Sequence, residues 1–509
     1  MIRLRIVIFV FIVVVGISRC LAATTLITNA TLISPERSEP LLEAWVRIEN
    51  GVITGVGDGD TDETGHDVIN ASGRYLIPGL IDSHVHLYHA TGLKRRYTDD
   101  YDTLYEAFME QQSRSFLYYG FTSVIELNAD KKTNERFEAS KVHPRLFHCG
   151  QGVILSDGFM ALELEGEAVE TVYPGFLLDH YSKGLMPAGV DPKQHTPKAV
   201  VDYIQQHGGH CVKLYYEEAL WWPGDAPDFR LPSVAIVREV VAAAHSLDLP
   251  VVLHATSPNG HRLALESGVD VLAHGMWEWP DVGFASPEPT PEYTLLAKQV
   301  AQSEIRIQPT FGTLLNTASL FRPAVLADAR WKNVVPPRYH SFLQGNVEKQ
   351  RQTFLAMFGT QFEEDSSVVE EDSSVDDVPT AMSAHLSRYQ RLIGTMASDG
   401  ADLLFGTDTA VGGFGWASPP GLSGYWEMLV WRNAGIPLKT LFRALTLENA
   451  RAFRLDDEIG SIEVGKNADL LLLTANPLED IEAYDSIVKV ILGGQLFERE
   501  ELSAVKLEH

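Results

Sequence analysis

The sequence predicts an α/β fold, a (β/α)8 barrel of the TIM type accompanied by a small β-sandwich domain built from both chain ends. Eight apolar segments with the character of buried strands alternate with helical segments through the middle of the 509-residue chain. Eight parallel strands are the number that closes a TIM-type barrel. Short strands of alternating pattern also occur near both termini, in WVRIENGVITGVG and in IVKVILGGQLF, and one shared β domain would accommodate them. The predicted barrel strands lie at 78–86, 121–127, 145–155, 211–216, 250–255, 270–275, 305–311 and 403–409.

Several single elements have clear local signals. Asn50-Gly51 stands between two alternating segments and predicts a two-residue hairpin turn. A helix is predicted over 233–247, because Ser233 can accept hydrogen bonds from the exposed N–H groups of a first turn. Its apolar stripe consists of Val237, Val240, Val241 and Ala244.

These patterns also set the domain boundaries. Residues 24–76 and 458–509 are predicted to form the composite β domain, and residues 77–457 the barrel. The segment at about 312–400 is longer than one crossover helix needs, so we interpret it as an insertion. Within it, residues 363–377 contain EDSSV twice among many carboxylates and are predicted to be an acidic, disordered surface loop.

The first 23 residues have the pattern of a signal peptide. Arg3 and Arg5 precede an apolar run, and Ala22 and Ala23 supply small residues for cleavage. We therefore expect an exported protein, periplasmic or secreted, with no stable membrane insertion after cleavage; a retained N-terminal anchor is the alternative.

The net charge argues against nucleic acid as a partner, and the cysteine content limits the possible disulfides. An excess of carboxylates gives a net charge of -27, which would repel nucleic acid. After signal cleavage only Cys149 and Cys211 remain. An oxidising compartment would allow them to pair, but we expect two buried thiols. The expected partner is a small-molecule substrate, and a homo-oligomer is left open.

Ionisable residues recur at the carboxyl ends of the predicted barrel strands. His84 and His86 end the first strand, so both imidazoles can face the barrel mouth. Asp408 ends another of the predicted buried strands. A carboxylate at such a position needs a partner for its charge, and a metal ion supplies one. Lys213 near the end of the fourth strand would repel metal ions as a cation, whereas its neutral amine could add carbon dioxide and bridge two ions as a carbamate. The remaining members of the set are His254 and His274.

With these residues the chain resembles the metal-dependent amidohydrolase superfamily, in its form with two metal ions bridged by a carboxylated lysine. The resemblance covers nearly the whole mature chain and includes LIPGLIDSHVH, CVKLYYE, GVDVLAHG, FGTDT and GSIEVGKNADLLLL. The chain is similar to imidazolonepropionase-like and Xaa-Pro dipeptidase-like members of the superfamily. This resemblance implies a (β/α)8 barrel with a β-sandwich.

The resemblance implies one metal ion on His84, His86 and Asp408, a second on His254 and His274, and carboxylated Lys213 between them. Zinc is the expected metal, because imidazole and oxygen ligands suit it, and manganese, cobalt or iron would fit the same ligands. A hydroxide shared by the two ions would attack a C–N bond, with Asp408 as the catalytic residue that takes the proton and returns it to the leaving nitrogen. A dipeptide-like or N-acylated compound is the expected substrate.

Two residues are weaker candidates for substrate binding. Tyr216 or Arg262 could hold a carbonyl or carboxylate of the substrate. The alternatives for the function are a lactonase or phosphotriesterase, a one-metal deaminase of the same superfamily and, least favoured, a non-catalytic binding protein.

Overall fold

The computed structural model describes residues 24–164, 168–182, 184, 186–220, 229–280, 288–364, 378–410 and 418–507. The predicted signal peptide, 1–23, lies outside the described residues, as does all but the beginning of the predicted acidic loop 363–377.

The strands in chain order are β1 (Thr24–Leu32), β2 (Leu41–Glu49), β3 (Val52–Asp58), β4 (Asp67–Asn70), β5 (Tyr75–Pro78), β6 (Leu80–Val85), β7 (Phe121–Glu126), β8 (Arg145–His148), β9 (Val212–Tyr216), β10 (Val251–Ala255), β11 (Val271–Ala273), β12 (Arg306–Gln308), β13 (Leu470–Leu473), β14 (Ile487–Leu492) and β15 (Gln495–Glu498).

The α-helices are α1 (Tyr101–Tyr118), α2 (Lys131–Glu138), α3 (Val169–Val172), α4 (Pro197–Gln206), α5 (Val234–His245), α6 (Pro258–Ser267), α7 (Pro291–Ala301), α8 (Phe311–Ser319), α9 (Pro323–Leu326), α10 (Trp331–Val334), α11 (Pro337–Glu364), α12 (Val378–Ser398), α13 (Leu422–Asn433), α14 (Leu438–Arg443) and α15 (Asn449–Ala452). Among the described residues, no helix has the length and apolar character needed to cross a membrane.

Strands from both chain ends share one sheet with the order β15-β14-β13-β5-β1-β2-β3, in which β4 also pairs with β1. The junction between the two ends is the antiparallel pair β5–β13. The predicted hairpin between β2 and β3 is confirmed: Asn50 and Gly51 have φ of 53° and 81°, the left-handed backbone that this turn type needs. A Cβ on Gly51 would lie 2.7 Å from the carbonyl oxygen of Gly493, so the site also excludes a side chain.

Two parallel sheets form the centre of the molecule and make it a TIM-barrel-type α/β fold. One has the order β6-β7-β8 and the other β12-β11-β10-β9. Isolated parallel bridges join Val153 to Leu214, Ile307 to Leu403 and Val85 to Thr409. Helices connect successive strands, and the predicted helix at 233–247 is confirmed as α5, capped by Ser233, whose hydroxyl accepts from the Ile236 N–H at 3.2 Å.

Alternation along β9 separates two environments. Cys211 belongs to a cluster of small and branched side chains from neighbouring parallel strands, including Val252 and Leu404. Leu214 and Tyr216 belong instead to the larger core that contains the buried face of α5. Because successive side chains point to opposite faces of a strand, Lys213 lies on the inner face with Cys211.

The expectation of two free thiols is wrong, because Cys149 and Cys211 form a disulfide. The end of β8 and the start of β9 lie side by side, and the His210 N–H donates to the His148 carbonyl at 2.7 Å. This neighbouring position brings the Cα atoms of the two cysteines to 4.4 Å, within the range that a disulfide spans.

Removal of this disulfide should lower the free energy of unfolding by about 4 kcal/mol, because a cross-link over a separation of 62 residues restricts the unfolded chain. The double variant Cys149→Ala, Cys211→Ala would be compared with the wild type by urea denaturation, with and without reductant. Reductant should destabilise only the wild type. A wild type that unfolds equally in both conditions would contradict the assigned bond.

Candidate metal centre

Three candidate ligands meet where β6 ends beside the segment that carries Asp408. The ligand atoms of His84, His86 and Asp408 all lie within 4.8 Å of one another. Asp408 Oδ1 is 3.3 Å from His84 Nε2 and 3.1 Å from His86 Nε2. Backbone hydrogen bonds fix this arrangement, since the Asp408 N–H donates to the His84 carbonyl at 2.8 Å. Two imidazoles and a carboxylate are a donor set suited to zinc and related divalent ions.

A second pair of imidazoles adjoins this group. The rings of His254 and His274 have centroids 4.7 Å apart, and the ring of His274 is 5.2 Å from that of His84. His254 ends β10, and His274 follows β11 directly. The structure therefore brings all four candidate histidines into one contiguous cluster.

Lys213 provides the remaining candidate group on the inner face of β9. It is buried, and its Nζ has no hydrogen-bond partner among the described residues. The Nζ lies 5.6 Å from the centre of the Tyr215 ring. Burial lowers the pKa of the Lys213 amine to about 7, although the Asp408 and Glu126 carboxylates act in the opposite direction. A substantial fraction of this amine is therefore neutral near pH 7.

Hydrogen bonds to outer groups select which nitrogen of three imidazoles remains for a metal ion. His86 Nδ1 lies 3.3 Å from Glu126 Oε1, and His254 Nε2 lies 2.8 Å from Glu217 Oε2. His274 Nδ1 lies 2.7 Å from the Thr310 hydroxyl. The nitrogens that these outer groups leave for a metal ion are thus His86 Nε2, His254 Nδ1 and His274 Nε2. Partners of this kind orient metal-binding imidazoles and fix their tautomers.

The carboxylates in this outer layer are themselves held by backbone groups. Glu126 accepts from the N–H groups of Leu87 and, at 2.7 Å, of Asn128. Glu217 accepts from the Ala219 N–H at 2.5 Å. Both carboxylates therefore have a fixed position from which to orient an imidazole.

Burial and neighbouring charges keep three of the ligand candidates, His84, His274 and Asp408, in metal-binding forms. Burial, followed by the nearby Lys213 charge, lowers the pKa of His84 well below its usual value, and burial and the neighbouring His254 do the same for His274. Burial would raise the pKa of Asp408, but His84, His86 and Lys213 overcome this effect and lower it. Neutral imidazoles and an ionised carboxylate are the forms that bind metal ions.

The pKa of His86 shifts in the opposite direction to those of His84 and His274. Burial opposes its protonation, but hydrogen bonds to Asp408 and Glu126 raise the pKa of His86 to about 9. The same Asp408 oxygen faces both His84 and His86. Binding of a metal ion through His86 Nε2 would therefore require loss of a proton from His86.

Backbone strain marks the same positions. His274 has a φ of 80°, Asp408 of 59° and Thr310 of 48°, which is the left-handed region that residues other than glycine rarely adopt. Such conformations cost free energy and concentrate at functional sites. Here they occur at two ligand candidates and at the residue that orients one of them.

The structure does not bring the two substrate-binding candidates to this cluster. Tyr216 lies on the outer face of β9, in the main core, where a Cβ on Gly260 of α6 would be 3.1 Å from its ring. Arg262 lies on α6, where its guanidinium pairs with Glu292 at 2.5 Å and donates to Asn259 at 2.9 Å. Strand alternation turns the first away from Lys213, and helix position places the second beside α7.

Tyr215 occupies the position expected of Tyr216. It shares the inner face with Lys213, and its ring is 5.7 Å from that of His254. The Phe159 ring stacks on the His254 ring with a centroid distance of 5.8 Å, and the centroids of the Trp277 and His274 rings are 4.9 Å apart. The period of two along β9 could have selected Tyr215 over its neighbour.

The residues present fit the metal ions that the family resemblance implies. His84, His86 and Asp408 can hold one ion without help. His254 and His274 offer two donors, so a second ion needs another, which a carboxylated Lys213 would provide. The buried Nζ, which has no hydrogen-bond partner in the part of the chain that the structure describes, is the observation that agrees with such a modification.

Comparison with known proteins finds short stretches of sequence similarity to curated proteins. A stretch of 42 residues is 50% identical to a dihydroorotase of Trichlorobacter lovleyi, covering 8% of this chain and 10% of that protein. The chain thus matches about a tenth of the length of this curated relative.

Two solved structures share the fold. A Xaa-Pro dipeptidase with methionine bound in its active site has a TM-score of 0.63 at 20% identity, with 94% of this chain and 100% of that chain covered. Molinate hydrolase has a TM-score of 0.63 at 19% identity, with 94% and 96% covered. The model of the amidohydrolase family matches residues 75–276 and 350–497, which together make up more than half of the sequence, and the chain belongs to this family.

Proposed function

We propose that the protein is a metal-dependent hydrolase that cleaves a C–N bond in a small, dipeptide-like or N-acylated molecule. One observation carries the proposal: the buried Lys213 amine, without a hydrogen-bond partner among the described residues, faces a cluster of four histidines and Asp408. Family membership supports hydrolysis, and the donor set supports divalent metal ions, of which zinc is our choice.

Lys213 would act as a bridging ligand after carboxylation. Its neutral amine adds to carbon dioxide and releases a proton, which leaves an anionic carbamate with two oxygen donors. Burial favours this chemistry twice, because it lowers the pKa of the amine to about 7 and keeps the product away from bulk water.

Asp408 would transfer the proton. The cluster would hold divalent ions, which would lower the pKa of a water molecule and polarise the substrate carbonyl. Asp408 would accept the proton of the attacking water and return it to the leaving nitrogen as the C–N bond breaks. Its Oδ2 accepts from the Thr313 hydroxyl at 3.2 Å, which limits rotation of the carboxylate while Oδ1 faces the two histidines.

Aromatic side chains around His254 and His274 support an apolar or ring-containing substrate group. Tyr215, Phe159 and Trp277 contact these imidazoles from different elements. A dipeptide-like or N-acylated substrate combines a scissile carbonyl with such a group, and the Xaa-Pro dipeptidase among the structural neighbours supports this class.

The remaining parts of the proposal concern architecture and location. Three isolated parallel bridges support closure of the two parallel sheets into one eight-stranded barrel, through residues 403–409. The pairing of β5 with β13 supports a domain of residues 24–76 and 458–509 beside a barrel of residues 77–457, with the insertion at about 312–400. The disulfide supports export to an oxidising compartment, in agreement with the N-terminal pattern.

A hydrolysis screen tests the function directly. Zinc-loaded protein would be assayed with dipeptides, N-acyl amino acids, lactones and phosphotriesters. The Lys213→Ala variant, prepared and treated with zinc in the same way, would give the background rate. Turnover should be greatest for a dipeptide or N-acyl amino acid. Turnover confined to lactones or phosphotriesters would refute the C–N assignment while leaving the metal centre in place.

Lys213→Ala should lose one or both metal ions and all measurable turnover, because the bridging donor is removed. Metal content by mass spectrometry and activity would be compared with those of Lys466→Ala. Lys466 is also buried, but it pairs with Ser461 and, at 3.0 Å, with Glu463. Its replacement should therefore lower the stability of the protein and leave the metal content unchanged. Acetate, a small carboxylate, should partly restore metal binding to Lys213→Ala only. Full metal content and activity in Lys213→Ala without acetate would refute the bridging role.

Tyr215 and Tyr216 should give opposite results when each is changed to Leu. Tyr215→Leu removes a side chain from the inner face and should lower kcat/KM about tenfold, with a small change in the urea midpoint. Tyr216→Leu opens a cavity in the main core and should lower the midpoint while kcat/KM stays near that of the wild type. The reverse pattern would restore Tyr216 as the substrate contact.

A further inference from the structure

We infer that Glu427 is a positioning residue that holds the turn 310–313 and, through Thr310 and Thr313, sets the orientation of His274 and Asp408. The inference rests on the proposed function, because it assigns Glu427 an effect on metal affinity. Glu427 lies on α13, and it touches neither of the two ligand candidates in any hydrogen bond found among the described residues.

The turn that follows β12 links both halves of the candidate centre. The Thr310 hydroxyl is 2.7 Å from His274 Nδ1, and the Thr313 hydroxyl donates to Asp408 Oδ2 at 3.2 Å. Between them, Gly312 approaches the segment before Asp408 so closely that a Cβ would lie 3.0 Å from the Thr407 carbonyl oxygen. A shift of this turn would therefore move the partners of one imidazole and of the carboxylate together.

Thr310 does not make the hydrogen bond that a threonine at the N-cap of a helix usually makes. It is the N-cap of α8, where a hydroxyl normally accepts a hydrogen bond from an N–H of the first turn. Its side chain makes no such bond, and its hydroxyl is directed to His274 instead. Phe311 and Gly312, the first two residues of α8, are buried, so their N–H groups need other acceptors.

Glu427 supplies these acceptors. Its Oε1 accepts from the Phe311 N–H at 3.1 Å, and its Oε2 accepts from the Gly312 N–H at 2.6 Å. The side chain is completely buried, and the Trp431 indole donates to Oε1 at 2.9 Å, which orients the carboxylate on its own helix. Glu427 thus replaces the cap that Thr310 does not provide, and so permits Thr310 to orient His274 in a strained left-handed conformation.

The test measures zinc affinity of metal-free protein against a chromophoric chelator. Glu427→Gln keeps the shape of the side chain but loses one of the two acceptors, so zinc should bind about 10 to 100 times more weakly. Val430→Ala, a core change on the same helix, is the matched control: it should lower the unfolding midpoint and leave the zinc dissociation constant within about twofold of the wild type.

A double-variant cycle separates positioning from general destabilisation. Because Glu427 acts partly through Thr310, Glu427→Gln combined with Thr310→Ala should weaken zinc binding by less than the product of the two single effects, since only the path through Thr313 remains. Should Glu427→Gln fail to fold, Trp431→Phe removes the indole donor together with part of a buried ring. It should weaken zinc binding in the same direction by a smaller factor, which must exceed the effect of the core change Val430→Ala.

Three results would overturn the inference. Wild-type affinity in Glu427→Gln, or independent effects that multiply in the double variant, would reduce Glu427 to a packing role while the proposed function stands. A wild type that binds no zinc would instead remove the proposed function, and with it the basis for this inference, so the wild-type titration distinguishes the two failures.

Discussion

The burial of ionisable side chains at the carboxyl ends of parallel strands is the constraint on which the rest of the structure depends. Lys213, Asp408, His84 and His274 are buried away from water, and charged groups there lose far more solvation free energy than one ordinary ion pair returns. The protein meets this cost by holding His84 and His274 neutral and by lowering the pKa of Lys213 to about 7. The proposed metal binding and carboxylation would require these same protonation states, so for these three residues solvation favours the forms that the proposal needs.

Precision at the centre comes from a second layer of polar groups. Glu126 and Glu217 are each held by backbone N–H groups, and each contacts one candidate ligand. Because a carboxylate with fixed acceptor geometry can receive only the N–H tautomer of an imidazole, the layer decides which nitrogen faces inward. The ligands come from strands that are distant in sequence, and the second layer is what makes their orientations consistent with one another.

The disulfide affects the chemistry of the interior as well as its stability. Cys211 lies on the face of β9 that also carries Lys213, two residues away. Thiolates are among the ligands that zinc prefers, and two of them below the cluster would compete with imidazole and carboxylate. Paired as a disulfide, Cys149 and Cys211 offer no thiolate, so the donors that remain are those of the strand ends.

The sequence predicts the parts of this architecture that depend on local pattern, and it fails where long-range contacts decide. Strand ends, the hairpin at Asn50-Gly51 and α5 follow from periodicity and turn chemistry. The inner position of Tyr215 was also within reach, because a period of two from Lys213 excludes Tyr216. Glu427 had no such signal: it is a glutamate on a helix, and its role arises only because Thr310, more than a hundred residues earlier, directs its hydroxyl elsewhere. A buried acceptor is specified by the donors around it, and sequence spacing does not encode which donors the fold leaves unpaired.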